Sequence, residues 1–132
     1  DAATRDNSPL IVDCSLSDQE QVINAINALR EAHPEATVQP ILTLPGTWST
    51  SAITQYCKPL SRLAPAVIIT QMHIGGIGIP GLSALADQSA NLIAATENTR
   101  ISEGLTIIKK DAIVEFLRDS FDPAAPTAQL GR

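Results

Sequence analysis

One Trp, one Tyr and two Phe in 132 residues leave aromatics at 3% of the chain. Ring stacking therefore cannot organise the interior, and a core must come from Ile, Leu, Val and Ala within a hydrophobic share of 44%. That palette suits strands buried under helices. Basic residues are also scarce: nine Lys and Arg face fourteen Asp and Glu, giving a net charge of −5. This balance opposes the phosphate-neutralising term that drives nucleic-acid binding, so nucleic acid is excluded as an expected partner. Apolar runs are short. The longest, such as Ala64-Pro65-Ala66-Val67-Ile68-Ile69, fall far below the roughly 20 residues that span a bilayer. Asp1 to Pro9 is polar and lacks the apolar stretch of a signal peptide. Cys14 and Cys57 have no CxxC spacing, which reads as reduced thiols in a cytoplasmic chain rather than a disulfide or redox motif.

What is present alternates between two periods. Pro9–Ser15 (PLIVDCS) reads as a strand that delivers Asp13 to its carboxyl end. Ser17-Asp18-Gln19-Glu20 reads as a capping box with Ser17 as N-cap, opening a helix over Asp18–Ala32 that His33-Pro34 stops. Thr37–Leu44 is a second strand, weakened by Pro40 and closed by Pro45-Gly46. A helix over Ser51–Leu60 carries Ile53, Tyr56, Cys57 and Leu60 on one stripe, with Pro59 marking a kink or end. Ala66–Gln71 is a β-branched central strand, followed by a glycine-rich loop from His73 to Gly81. Leu82–Gln88 reads as a helix, Asn91–Thr96 as a fourth strand, and Ile107–Phe121 as a closing helix with Ile113, Phe116 and Leu117 inward. Residues 1–8 and 122–132 lack periodicity and read as disordered ends of a single α/β domain over 9–121. The expected fold is a parallel sheet of about four strands with helices on both faces and ligand sites at the carboxyl ends of the strands.

Three chemical signals are each weak. Gly76-x-Gly78-x-x-Gly81 matches the dinucleotide-binding fingerprint in letters, but it follows the third strand after Met72, His73 and Ile74 rather than the first strand directly. A flexible loop feeding a helix is the better reading. His73 stands at the end of a central strand, yet the other histidine, His33, falls in a turn, and no Cys or carboxylate lies at metal-ligand spacing. Asp13, Ser15 and Ser17 are close in sequence, but no G-x-S-x-G elbow surrounds them, which argues against hydrolase chemistry.

The order of features from Leu10 to Leu117 resembles the carboxyl-terminal half of an SRP-type GTPase domain, most closely the flagellar, FlhF-type branch. Leu10 to Leu16 stands where that family has an apolar strand ending in Asp-Thr-Ala-Gly, and Leu42 to Pro45 stands at its Leu-Pro. Val67 to His73 occupies the strand followed by Thr-Lys-x-Asp. Gly81 to Leu85, Leu92 to Thr96 and Arg100 to Leu105 resemble the glycine-led helix, the last strand and the loop that closes over the base. The resemblance implies a P-loop NTPase-like half domain. It also implies nucleotide-facing positions at Asp13, Leu16, Thr70, Gln71, His73 and Thr96, a cytoplasmic protein, and peripheral work at a membrane or flagellar assembly.

The departures fall on the chemistry. His73 and Gln71 replace the carboxylate and lysine that read guanine, Leu16 replaces a glycine that approaches phosphate, and no G-x-x-x-x-G-K-[ST] loop occurs. Asp13, magnesium-organising in the family, and Thr70 remain. The expectation is a pseudo-GTPase half that acts as a binding or regulatory module, with no catalytic residue and no metal of its own. GTP and magnesium would enter only with a second half. A protein partner or a homo-oligomer is expected, because a half domain leaves sheet surface uncovered. Two alternatives stand beside it: a fragment of an active GTPase whose P-loop half lies elsewhere, and an unrelated doubly wound ligand-binding module.

Overall fold

A computed structural model describes residues 9–15, 18–74, 76–96 and 104–121. They fall into two compact units, divided between Ala36 and Thr37. In the first, α1 spans Gln19–Ala32. Its N-cap is Asp18, whose carboxylate accepts from the Gln21 N–H at 3.0 Å. The expected Ser17 cap is therefore displaced by one residue, since a carboxylate both accepts the bond and favours the positive end of the helix dipole. Val22, Ile23 and Ile26 are half-buried, and no residue of α1 is fully buried.

Pro9–Ser15 is not a strand. Every residue in it is exposed, with Ile11 91% accessible, and it joins no ladder. Apolar, β-branched composition makes a strand only where an edge supplies hydrogen-bond partners.

The second unit holds one open sheet, β1 (Ile41–Pro45), β2 (Ala66–Thr70), β3 (Asn91–Thr96) and β4 (Leu105–Ile107), in that spatial order. The first three strands are parallel, as the sequence predicts, whereas β4 returns antiparallel against β3. The closing helix was expected to open at Ile107 and Leu105 to end a loop; instead Leu105, Thr106 and Ile107 pair with Thr96, Ala95 and Ala94, and the helix α4 begins at Lys110. β1 also starts late, because Pro40 has no N–H to give a ladder.

The crossover helices α2 (Thr50–Leu60) and α3 (Ile79–Asp87) pack on each other over one face of the sheet. Under them, the in-register rows Leu44–Ile69–Ala95 and Leu42–Val67–Leu92 form the centre of the core, with the first row 0% exposed throughout. Pro59 sits in the last turn of α2, which passes into a 3₁₀ turn at Ser61–Leu63 and ends on Ala64 at φ 47°. The expected helix at Leu82 starts three residues earlier, since Pro80 fits a first helical turn, where its missing N–H costs nothing. In α4, Phe116 is buried, Ile113 and Leu117 half-buried, and Glu115 and Arg118 exposed, as the periodicity requires. The opposite sheet face leaves Ile41, Thr43, Leu105 and Ile107 exposed. No described helix is long and apolar enough to cross a membrane. The readings of residues 1–8 and 122–132 lie outside the described residues.

Candidate functional site at the carboxyl edge of the sheet

Two strand-to-helix turns meet at the carboxyl ends of β1 and β2. After β1, the Gly46 N–H donates to the Thr70 carbonyl at 2.7 Å and the Trp48 N–H donates to the Pro45 carbonyl at 3.1 Å. This tight turn delivers Ser49 as the N-cap of α2, its hydroxyl accepting from the Ala52 N–H at 3.3 Å. Trp48 then stacks beside Tyr56, eight residues on, with ring centroids 4.6 Å apart and planes tilted 38°.

After β2, Gln71 takes the left-handed conformation at φ 60°, which ends the strand. The Met72 N–H donates to the Thr96 carbonyl at 3.0 Å and the Ile74 N–H donates to the Gln71 carbonyl at 3.1 Å. Gly78 caps α3 in extended conformation without a side-chain acceptor for the first helical N–H groups.

Between the two turns lies an open cleft of about 490 Å³, lined by Gly46 to Thr50 on one side and by Gly76, Ile77, Gly78, Pro80 and Gly81 on the other. Both helix N-termini open on it, and the lining side chains are hydroxyls, one indole and aliphatic carbons. Backbone amides at a helix start, backed by the peptide dipoles, favour an anionic or strongly electron-rich group. Among the described residues no carboxylate, imidazole, amine or thiol lines the cleft, and the hydroxyls and backbone amides that do line it offer binding contacts.

The structure brings four of the six sequence-predicted positions to one end of the sheet. Thr70 and Thr96 end neighbouring strands, and Gln71 and His73 follow directly. The Thr70 hydroxyl reaches back to the Leu44 carbonyl at 3.4 Å, while Gln71 and His73 are exposed. None of these four lines the cleft. Asp13 lies exposed in the first unit, and Leu16 falls outside the described residues. His33 sits in the turn after α1, 3.7 Å from Glu35. Among the described residues no group of three His, Cys, Asp or Glu is placed to hold a metal ion. The Gly46–Thr50 side of the cleft was not singled out from sequence. Its signal was there in Pro45-Gly46 ending a strand and Ser49 opening a helix.

Of the glycines in Gly76-x-Gly78-x-x-Gly81, only the last is sterically required. A Cβ there would lie 2.5 Å from Ile77 Cγ1 and 3.3 Å from Ile53 Cδ1, whereas Gly76 and Gly78 have ordinary space. Gly81 thus lets α3 close on α2 and on the buried Ile77. We expect Gly81→Ala to destabilise the unit by up to about 2 kcal/mol, because overpacking of roughly 1–3 kcal/mol opposes a gain of about 1 kcal/mol in helix propensity. Gly78→Ala should move the urea midpoint far less. Equal midpoints for the two variants would refute the packing role.

Comparison of the chain with protein-family models, with curated proteins and with solved structures finds no match.

Proposed function

We propose that this chain is a non-catalytic binding module that uses the cleft at the carboxyl ends of β1 and β2, in the manner expected of a degenerate SRP-type GTPase half. The observation that carries the reading is the cleft lining: two helix N-termini, hydroxyls from Thr47, Ser49 and Thr50, and Trp48, with no titratable side chain among the described residues. Such a surface recognises an anionic or hydrogen-bond-accepting group and leaves it chemically unchanged.

The residues beside the cleft do not fit a guanine base. A carboxylate accepts two hydrogen bonds from guanine through its two oxygens, while a neutral imidazole at His73 offers one acceptor and one donor. Gln71 supplies an amide where the resemblance calls for a lysine stem. A regulatory or assembly role with a protein partner, in the cytoplasm or at a membrane surface, is the wider setting that the resemblance suggests. The exposed Ile41, Leu105 and Ile107 on the sheet face opposite α2 and α3 support a protein partner.

A backbone-resolved NMR titration of the whole chain tests this reading, using inorganic phosphate and then GDP with magnesium. Phosphate should shift the amides of Gly46 to Thr50 and Gly76 to Gly81 at millimolar concentration, and GDP should bind no more tightly than phosphate does. GDP binding in the low micromolar range, about −8 kcal/mol, or release of phosphate from GTP, would overturn the non-catalytic assignment. Absence of shifts in the cleft would overturn the choice of site.

A further inference from the structure

β1 is an edge strand, and its outer backbone groups can be counted. The Ala66 N–H donates to the Pro40 carbonyl and the Gly46 N–H donates to the Thr70 carbonyl at the two ends of the β1–β2 ladder. The register between them is regular, Ile41 opposite Ala66 through Pro45 opposite Thr70. In a parallel ladder, alternate residues turn both backbone groups to one neighbour. Pro40, Leu42, Leu44 and Gly46 therefore serve β2, and Ile41, Thr43 and Pro45 face outward. Pro45 has no N–H, and its carbonyl already accepts from Trp48. Four groups remain: the N–H and C=O of Ile41 and of Thr43. Among the described residues nothing bonds to them.

Natural edges are blunted by charge, proline at the exposed positions, bulges or extreme shortness. Ile41-Leu42-Thr43-Leu44-Pro45 has no charge and no bulge, and its one proline lies past the four free groups. Ile41 is 56% exposed and Thr43 is exposed as well. By contrast, the edge strand at the other end of the sheet has only three residues.

We infer that β1 pairs antiparallel with β1 of a second copy of this chain, about a two-fold axis at Leu42. Ile41 then lies opposite Thr43 of the second copy and exchanges both hydrogen bonds with it, and the symmetric pair does the same. All four free groups are satisfied. Within β1 this register stands apart: centring on Thr43 would set Ile41 against Pro45, which has no N–H to give. Leu42 meets its own symmetry mate on the helix-covered face, where it is already buried. Two four-stranded sheets become one sheet of eight strands. A second copy is the occupant this edge fits, because the strand is uncharged and complementary to itself under that axis, so no foreign sequence is needed to complete it.

The test is sedimentation of the full chain across a dilution series, with hydrogen exchange at each concentration. A species of twice the 14.0 kDa monomer mass should grow with concentration, and the Ile41 and Thr43 amides should become protected in step with it. The double variant I41K/T43K sets lysine against lysine twice across the axis and should weaken association by about tenfold. The variant I41K/T43E sets lysine against glutamate and should restore it. Both side chains are exposed, so both variants keep the core, which a thermal melt of each confirms. A chain that stays monomeric at all concentrations would overturn the inference. So would a dimer that I41K/T43K leaves intact, or one that forms without protecting the Ile41 and Thr43 amides.

Discussion

Leu44→Ala should lower the unfolding free energy of the 37–132 unit by about 3 kcal/mol, roughly a hundredfold in the folding equilibrium. Leu44 is 0% exposed and stands in register with Ile69 and Ala95, themselves fully buried, beneath α2 and α3. Removing its isobutyl group forfeits the transfer free energy and leaves a void between sheet and helices that the parallel ladder cannot close by shifting one strand. Two residues upstream on the same face and in register with Val67, Leu42 at 4% exposure should behave similarly, while Ile41→Ala should cost well under 1 kcal/mol in the monomer, since Ile41 is 56% exposed. Urea midpoints with unchanged slopes would establish the contrast. Comparable losses from Leu44→Ala and Ile41→Ala would show that the helix-covered face has been assigned to the wrong side of the sheet.

The second large effect separates the two thiols. Cys57 is 1% exposed on the inner stripe of α2, and burial pushes its thiol pKa up from the ordinary value of 9.0. Cys14 is exposed. A disulfide reagent needs access to the sulfur, so at neutral pH it should modify the exposed Cys14 directly and Cys57 only through opening of the unit. With ordinary domain stability the second rate should be lower by about a thousandfold or more.

A pH dependence follows with a definite sign. The folded state holds the Cys57 proton more tightly than the unfolded chain does, so its contribution is fully present below 9.0 and is lost as pH rises above that value. Cys57→Ala should remove this alkaline decline, at the cost of a small cavity. Rapid labelling of both cysteines in the folded chain would contradict the burial of the α2 stripe.

Much of this architecture was legible in the residues because local chemistry and tertiary environment agreed. Ala66–Thr70 and Asn91–Thr96 are β-branched or small, and they become interior parallel strands, where both edges supply hydrogen-bond partners. The stripe of Ile53, Cys57 and Leu60 becomes the buried face of α2 for the same reason. Thr70, Gln71, His73 and Thr96 lie toward one end of the sheet, since alternation of strand and helix puts all carboxyl ends of a parallel sheet together.

The rest was decided by partners that no local pattern announces. Pro9–Ser15 has the composition of a strand and remains outside the sheet, whereas Leu105–Ile107, only three residues long, becomes one because Ala94 to Thr96 offer it an edge. The fingerprint glycines looked equivalent in sequence, yet only Gly81 meets a neighbour that forbids a side chain. The cleft itself joins Gly46–Thr50 to Gly76–Gly81 across about thirty residues of chain. Hydrogen-bond partners and excluded volume are properties of what lies across from a residue, and folding alone brings those neighbours into place.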